Sequence, residues 1–283
     1  MLDLRFIKDQ RLIGGLCLLT EMESIYILDP IYPARYLFLN LAALLASSYK
    51  LTSLTIDMTH RYHLPYTKSE SLHQLFQYCS AKHPPRLHHL GLHHCLVLLD
   101  EVALHNLSHL TSFKLLHTRY KDLGPSCSEV SSSPDDIWSA FTGSGIRLQE
   151  LEHDTITDSL LDYLLTFSGL KKLSLIGLGD NEQNLSETPA YARFCSFVLP
   201  KHQETLEELN ITPYFDCRWC FGSHNAYVIA KCTKLRYISM SVVSSQVGKA
   251  TSGQSKLHEE DVVVRNFVYS QNLPHSHYTE TPH

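Results

Sequence analysis

A spacing of apolar residues, L-x-x-L-x-L, recurs along this chain of 283 residues and restricts its fold more than any other feature. Six copies carry apolar residues at all three places, whereas the copy that starts at Leu148 has His153 at its third place. Residues alternate across a strand, so the second and third places of each copy point to one face. One strand cannot bury that face alone, and the pattern therefore predicts a parallel sheet built from successive copies. The copies begin, at intervals of 22 to 38 residues, at Leu51, Leu87, Leu110, Leu148, Leu170, Leu206 and Leu235.

The segments between these copies carry the sequence signals of helix starts. Thr67–Glu70 has the spacing of a capping box, and Thr157 precedes an apolar run at helical intervals. Pro33 and Pro189 can each occupy a first helical turn, and the helix that begins at Pro189 is expected to stop near Pro200. Strands that alternate with helices indicate an α/β chain.

These signals together predict an α/β leucine-rich-repeat solenoid. We expect a horseshoe with a parallel sheet of six to seven strands on the concave side and helices on the convex side. Residues 1–243 form the irregular repeat domain, residues 121–136 an exposed insertion loop, and residues 244–283 a polar, disordered tail with a short apolar segment at 262–268. The asparagine typical of the ninth repeat place is missing, and only Cys95 matches that place. The alternative is an irregular α/β domain in which only some copies pair.

Three motifs resemble one particular family of repeat proteins. They are 87–95 (LHHLGLHHC), 170–175 (LKKLSL) and 206–211 (LEELNI), and they are similar to the repeats of fungal F-box leucine-rich-repeat proteins. In that family an N-terminal F-box docks on a cullin ubiquitin-ligase adaptor while the repeats hold the substrate. Nothing before Leu51 resembles an F-box, and 1–6 (MLDLRF) resembles the end of a repeat strand. The resemblance therefore implies a substrate receptor, with the adaptor as a partner only if an F-box is missing from this chain.

Composition restricts the partners. The net charge is −5 and the isoelectric point is about 6.4, so the chain has no general attraction to phosphate backbones and we expect no nucleic acid partner. The apolar stretch 33–46 is too short to cross a bilayer, so we expect no membrane partner. Most of the eight cysteines lie in apolar runs, which is typical of buried thiols in a reducing compartment. We expect a cytoplasmic or nuclear protein.

No hydrolase, kinase or metalloprotease signature occurs in the sequence, so we expect no enzyme activity and no cofactor. One alternative function comes from Cys217 and Cys220, whose C-x-x-C spacing can bind metal or exchange electrons. His224 and Cys232 would complete a metal-binding set of three cysteines and one histidine. The usual second C-x-x-C pair is absent, which favours thiols beside the last repeats. The histidines at 83, 88, 89, 93 and 94 are interpreted as surface residues of a recognition face rather than metal ligands.

Strand alternation also predicts a binding face. Residues two, four and six places after the first leucine of each copy should line the sheet surface opposite the helices. Its acidic centre is expected to bind a protein with a basic surface, although the spacing alone is equally compatible with a solvated face that binds nothing. A one-residue slip at His153 would exchange the two faces of its strand. The predicted partner-binding residues are Glu150, Glu152, Asp154, Lys172, Glu208, Asn210, His89, His93, Lys114 and Tyr237.

Overall fold

Strands and helices alternate along the described chain. The computed structural model describes residues 21–28, 34–48, 50–58, 72–79, 84–95, 97–116, 134–178, 189–214 and 216–242. The strands are β1 (Ser24–Leu28), β2 (Ser53–Asp57), β3 (His89–His93), β4 (Ser112–Leu116), β5 (Glu150–His153), β6 (Lys172–Leu178), β7 (Glu208–Pro213) and β8 (Tyr237–Met240). The helices are α1 (Ala34–Ser47), α2 (Leu72–Phe76), α3 (Glu101–Asn106), α4 (Pro134–Gly143), α5 (Asp158–Leu165), α6 (Pro189–Arg193), α7 (Leu199–His202) and α8 (Ala226–Ala230). A π-helical turn, Phe194–Val198, joins α6 to α7.

The described strands form one parallel sheet of eight strands, whose order in space is their order along the chain. The prediction of a parallel sheet built from successive copies is confirmed, and all seven copies lie in matching register. The second apolar places pair from strand to strand, as do the third places. The second-place row runs Leu54, Leu90, Phe113, Leu151, Leu173, Leu209 and Ile238.

The predicted number of strands, six to seven, was too low because β1 was missed. Ile25 and Ile27 of β1 pair with Leu54 and Ile56 of β2, and both isoleucines are buried. With Met22 they have the same spacing as the leucine-initiated copies. The signal was therefore present, but it uses methionine and isoleucine where the other copies begin with leucine.

The core lies between the sheet and the helices. The second and third apolar places of β2 to β7 are buried together with the apolar faces of the helices, and these side chains belong to one contiguous cluster. Four leucines of α1, which recur at helical intervals, are nearly fully buried in it. They are Leu37, Leu41, Leu44 and Leu45. Helices from neighbouring repeats also contact each other. This packing fixes which sheet face is apolar and leaves the opposite face mainly polar, with Leu116 and Ile176 as its apolar exceptions.

The sequence signals for helix starts agree with the structure at α5 and α6. Thr157 is extended and its hydroxyl accepts a hydrogen bond from the N–H of Leu160 at 3.2 Å, which caps α5. Helix α6 begins at Pro189 as predicted. The expected stop near Pro200 lies within two residues of the end of α7 at His202. Proline lacks an N–H group, and the wider π-helical turn directly before α7 lets the helical path pass it.

Several predictions fall wholly or partly outside the described residues. The capping box 67–70 and the tail 244–283 lie outside them, as does most of the insertion 121–136. The last three residues of that insertion, 134–136, are described and form the first turn of α4 rather than a loop. Asp135 and Asp136 in this turn suit a helix N-terminus, where backbone N–H groups favour negative charge.

No helix in the described residues is both long enough and apolar enough to span a lipid bilayer.

Candidate interaction surface

The polar face of the sheet contains nine of the ten residues predicted for partner binding, and Asp154 directly follows the end of β5. The register at His153 is as predicted, because His153 is fully buried on the helix side while Glu150 and Glu152 alternate with it. We call the surface opposite the helices the open face. It consists of the strand residues two, four and six places after each first apolar residue.

A chain of polar contacts crosses the open face from β3 to β7. The hydroxyl of Ser112 donates to Oε2 of Glu150 at 3.0 Å, and its oxygen lies 2.8 Å from Nδ1 of His89. Nζ of Lys172 lies 3.5 Å from Oε1 of Glu150 and 3.2 Å from Oε1 of Glu208. These five residues occupy equivalent places on consecutive strands, so the parallel register itself brings them together. These side chains contact one another within the chain itself, so the arrangement does not depend on a bound protein.

Neighbouring places on the open face are also paired. Nζ of Lys114 lies 2.9 Å from Oε1 of Glu152, and the amide of Asn210 donates to Oγ of Ser174 at 2.9 Å. The two carboxylates that flank Lys172 raise the pKa of its ammonium group, mainly through its hydrogen bond with Glu208. Lys172 therefore stays charged between the two glutamates.

Exposure increases from the first strands of the open face toward the middle ones. The side chains of Asp57 and His93 are only 11% and 13% exposed, whereas those of Glu150, Lys172 and Glu208 are 43%, 46% and 46% exposed. The first strands are more covered because histidines of β3 lie against the side chains of β2. The accessible charges are thus concentrated on β5 to β7.

The accessible centre is acidic. Glu150, Glu152 and Glu208 carry three negative charges, and Lys114 and Lys172 supply two positive charges, whereas the Asp154 side chain is only 16% exposed. Because each lysine is already paired with a glutamate, the excess negative charge remains available to an approaching surface. Such an arrangement attracts positive charge, although the mixed pairing keeps the local field moderate.

The histidines of β3 are held by hydrogen bonds to neighbouring strands. Since the Ser112 hydroxyl donates to Glu150, it accepts from Nδ1–H of His89, and Nε2 of His89 then accepts from the Thr55 hydroxyl at 3.3 Å. Burial lowers the pKa of His89, with a smaller opposing effect from Glu150. Neither ring nitrogen is directed to take a proton from Ser112. This geometry suits a positioned polar side chain rather than a general base.

His93 has a carboxylate partner that the sequence analysis did not identify. Its Nδ1 lies 3.1 Å from Oδ2 of Asp57, and both residues stand six places after the first leucine of their copies. Aligning the copies would have revealed this pair. Of the other histidines in the cluster, His88 is exposed and bonds to the carbonyl of His109, and His83 lies outside the described residues. His94 is buried, so the prediction that it is a surface residue was wrong. Across the described ranges, no three or more histidine, cysteine or acidic side chains meet as a metal site.

The cysteine pair that suggested an alternative function lies beside the last repeats. Cys217 and Cys220 form a tight turn in which the Cys220 N–H donates to the Cys217 carbonyl at 3.0 Å. Cys232 is buried in the core and its pKa is raised by burial to about 11, while His224 is exposed and bonds to the carbonyl of Arg218. Burial also raises the pKa of Cys220. These four side chains do not form a metal-binding group, and raised pKa values oppose thiolate chemistry.

Two exposed tyrosines lie at the last two strands of the described sheet, β7 and β8. Tyr237 begins β8 on the open face and is 48% exposed, and Tyr214 directly follows β7 and is 58% exposed. The Tyr214 ring lies over Gly177, which has a positive φ of 69° in the β6 bulge. Tyr237 was predicted as a contact residue, whereas Tyr214 was missed because its position depends on that bulge. Exposed tyrosines are frequent anchors in protein interfaces.

Comparison with protein-family models found no match, and a search of curated proteins found none either.

Proposed function

We propose that this chain is a non-catalytic leucine-rich-repeat protein whose open face binds another protein. The matched register of eight copies, including the β1 copy that begins at Met22, supports a repeat solenoid of horseshoe shape, with the open face on its concave side. Consecutive strand order supports it as well, since every connection returns to the next place in the same sheet. Insertions then change the connecting segments without disturbing the sheet.

The observation that carries the proposal is the accessible, pre-paired acidic centre on β5 to β7. Glu150, Lys172 and Glu208 are ordered by their mutual contacts, yet each side chain keeps nearly half of its surface exposed. An ordered face loses little conformational entropy on binding, which favours recognition. We therefore infer a partner with a basic contact surface, bound more weakly as salt concentration rises.

A finer version of the proposal makes the chain the substrate-holding part of an F-box-type ubiquitin ligase receptor. The repeat motifs that resemble this family include Leu170–Leu175 and Leu206–Ile211, which form β6 and β7 at the acidic centre. The test is whether cullin-adaptor components co-purify, after crosslinking in cells, with the protein tagged at its own gene, so that any F-box encoded with it is present. Recovery of another partner without any adaptor component would reject the ligase role and keep the binding role.

The binding role itself is tested by charge reversal. A partner identified by crosslinking is purified, and its affinity is measured for the unmodified chain and for the double variant Glu150→Lys with Glu152→Lys. We expect at least about tenfold weaker binding, because two attractive contacts become repulsive at the centre of the surface. Circular dichroism verifies that the variant still folds.

The matched control reverses Glu23 and Glu204 to lysine. Both residues are exposed and lie in turns outside the strands, so the control changes the net charge equally without altering the open face. Equal loss in both double variants would mean that only net charge matters. Binding that survives the Glu150 and Glu152 reversal would move the site elsewhere, and the 121–136 insertion would be tested next.

A further inference from the structure

The glutamates of the open face differ in how many of their oxygens have a partner within the chain. Both oxygens of Glu150 have one, since Oε2 accepts from the Ser112 hydroxyl at 3.0 Å and Oε1 lies 3.5 Å from Nζ of Lys172. Oε1 of Glu208 lies 3.2 Å from the same ammonium group. For Oε2 of Glu208, the described residues supply neither a hydrogen bond nor an ion pair. Glu208 therefore keeps one carboxylate oxygen available to a further donor.

An exposed aromatic residue stands beside this carboxylate on the next strand. Glu208 of β7 and Tyr237 of β8 pair in the parallel register, and both belong to the open face. The Glu208 side chain is 46% exposed and Tyr237 is 48% exposed. The Tyr237 hydroxyl makes no hydrogen bond to any residue that the structure describes. An accessible carboxylate and an accessible ring thus lie one strand spacing apart, which is about 4.8 Å.

The same row of the open face already shows how it holds a cation. The ammonium group of Lys172 contacts Glu150 and Glu208 together, from the strand between them. On the other side of Glu208 the neighbouring residue is Tyr237, which carries no charge. These two carboxylates and one ammonium group leave one negative charge in excess. A cation over Tyr237 would continue the alternation of charge and would balance Glu208.

Arg236, directly before Tyr237, is the chain's own candidate for that cation. Successive side chains of an extended segment point to opposite sides, so Arg236 is directed away from the open face. It makes no ion pair with Glu208 or with any other described residue. The place over Tyr237 is therefore left to a cation from a bound molecule.

We propose that Glu208 and Tyr237 form a subsite for an arginine side chain of the bound protein. A guanidinium group is planar, so it stacks on the tyrosine ring while its N–H groups donate to Oε2 of Glu208. A lysine ammonium group forms the ion pair as well, but it is a compact, strongly hydrated charge without a flat face to stack. The partner's basic surface thus presents at least one arginine to β7 and β8.

Recognition of arginine at this subsite rests on the proposed function, and it names the chemistry of one contact in the interface. The subsite contains neither Glu150 nor Glu152, whose reversal tests the proposed function. The two ideas can therefore fail separately.

The test measures the binding of three pentapeptide probes to the full chain by NMR. Each probe has blocked ends, two glycines on either side, and arginine, lysine or citrulline at its centre. Citrulline keeps the planar shape of arginine without its charge. We expect the arginine probe to shift the amide signals of Glu208 and Tyr237 most. The lysine probe should bind about two- to fivefold more weakly, the factor that corresponds to an exposed cation–π contact, and citrulline more weakly still.

Substitutions then assign the preference to the ring. Tyr237→Leu should weaken binding of the arginine probe by about two- to fivefold and remove its advantage over lysine, whereas Tyr237→Phe should keep both. The matched control is Tyr227→Leu, which removes an exposed tyrosine from α8 and should change neither. Glu208→Gln should weaken the arginine and lysine probes alike, because both lose the ion pair.

Equal binding of the arginine and lysine probes to the unmodified chain would overturn the subsite. An arginine preference that survives Tyr237→Leu would overturn it too, as would unchanged signals at β7 and β8 up to the solubility limit of the arginine probe. A partner that requires Glu150 and Glu152 but binds equally well to Tyr237→Leu would reject the subsite and keep the proposed function. An arginine preference that requires Tyr237, with a partner indifferent to the Glu150 and Glu152 reversal, would keep the subsite and reject the acidic centre.

Discussion

His153 is a buried titratable residue at a place where the neighbouring strands carry leucine. The equivalent residues on β4 and β6 are Leu115 and Leu175. Nδ1–H of His153 donates to the Leu115 carbonyl at 2.8 Å, while Nε2 is buried without a hydrogen-bond partner. The ring packs edge-on against Trp138, with centroids 5.3 Å apart. Burial lowers the pKa of His153, and the Leu115 carbonyl and the Asp154 carboxylate oppose this less strongly.

The lowered pKa makes the free energy of unfolding depend on pH. In the unfolded chain the imidazole has an ordinary pKa of about 6.5, so it binds a proton below that pH while the native state keeps it neutral. Stability is therefore full above about pH 6.5 and falls as pH drops toward the native-state pKa. The slope is about 1.4 kcal/mol per pH unit, a measurable fraction of a typical stability of about 5–15 kcal/mol.

We expect His153→Leu to remove this contribution. At pH 7.5 the substitution loses one hydrogen bond, worth about 1 kcal/mol, and removes a buried unsatisfied nitrogen that costs about 1–3 kcal/mol. The net result at pH 7.5 is a stability between unchanged and about 2 kcal/mol higher. At pH 5.5 the advantage over the unmodified chain grows by up to roughly 1.4 kcal/mol. Some pH dependence remains, because burial also lowers the pKa of His202 and of His89.

Urea unfolding at the two pH values, followed by tryptophan fluorescence, measures this effect, since Trp138 contacts the histidine directly. His109→Leu is the matched control, because it removes an imidazole from an exposed turn. If the difference between His153→Leu and the unmodified chain is the same at both pH values, burial of His153 does not control its protonation and the reasoning fails.

Two further substitutions probe the local supports of the strands. The Tyr163 hydroxyl accepts the N–H of Leu148 at 3.2 Å, so Tyr163→Phe should lower the free energy of unfolding by about 1–3 kcal/mol by leaving that buried N–H unpaired, as urea unfolding will measure. Gly177→Ala should cost about 1–2 kcal/mol for its positive φ of 69°, and more because a Cβ would lie 2.8 Å from the Tyr214 hydroxyl. Adding Tyr214→Ala should restore only the steric part in thermal unfolding, and complete restoration would show that the backbone conformation is not strained.

The sheet was predictable because its signal is repeated. Each copy alone is a short apolar run, but the shared spacing of its three places predicts both the strand and its register. The predicted register of β5 is also confirmed, although its copy has His153 at the third place. Leu148 and Leu151 were sufficient to place this strand. The β1 strand was missed because its copy begins with Met22, although its spacing is the same.

Helix boundaries and local distortions were less predictable because they depend on packing as well as sequence. The stop expected near Pro200 lies within two residues of the end of α7, but the π-helical turn before that helix had no signal in the sequence. Tyr214 had no signal of its own, since its place against Gly177 follows from a bulge that shifts the register between β6 and β7. The Cys217 and Cys220 spacing predicted neighbours correctly but could not reveal that Cys232 is buried in the core.

The contacts on the open face follow from the same register that builds the core. The intervals between copies vary from 22 to 38 residues, but the strands stay aligned, so residues at equal distance from each first leucine become neighbours. This rule places Lys172 between Glu150 and Glu208, and it places Asp57 beside His93. The alternation of negative and positive side chains from one strand to the next can therefore be seen when the copies are aligned, although no single copy shows it. A buried repeat fixes the positions, and the polar places between the buried ones are then free to vary without disturbing the core.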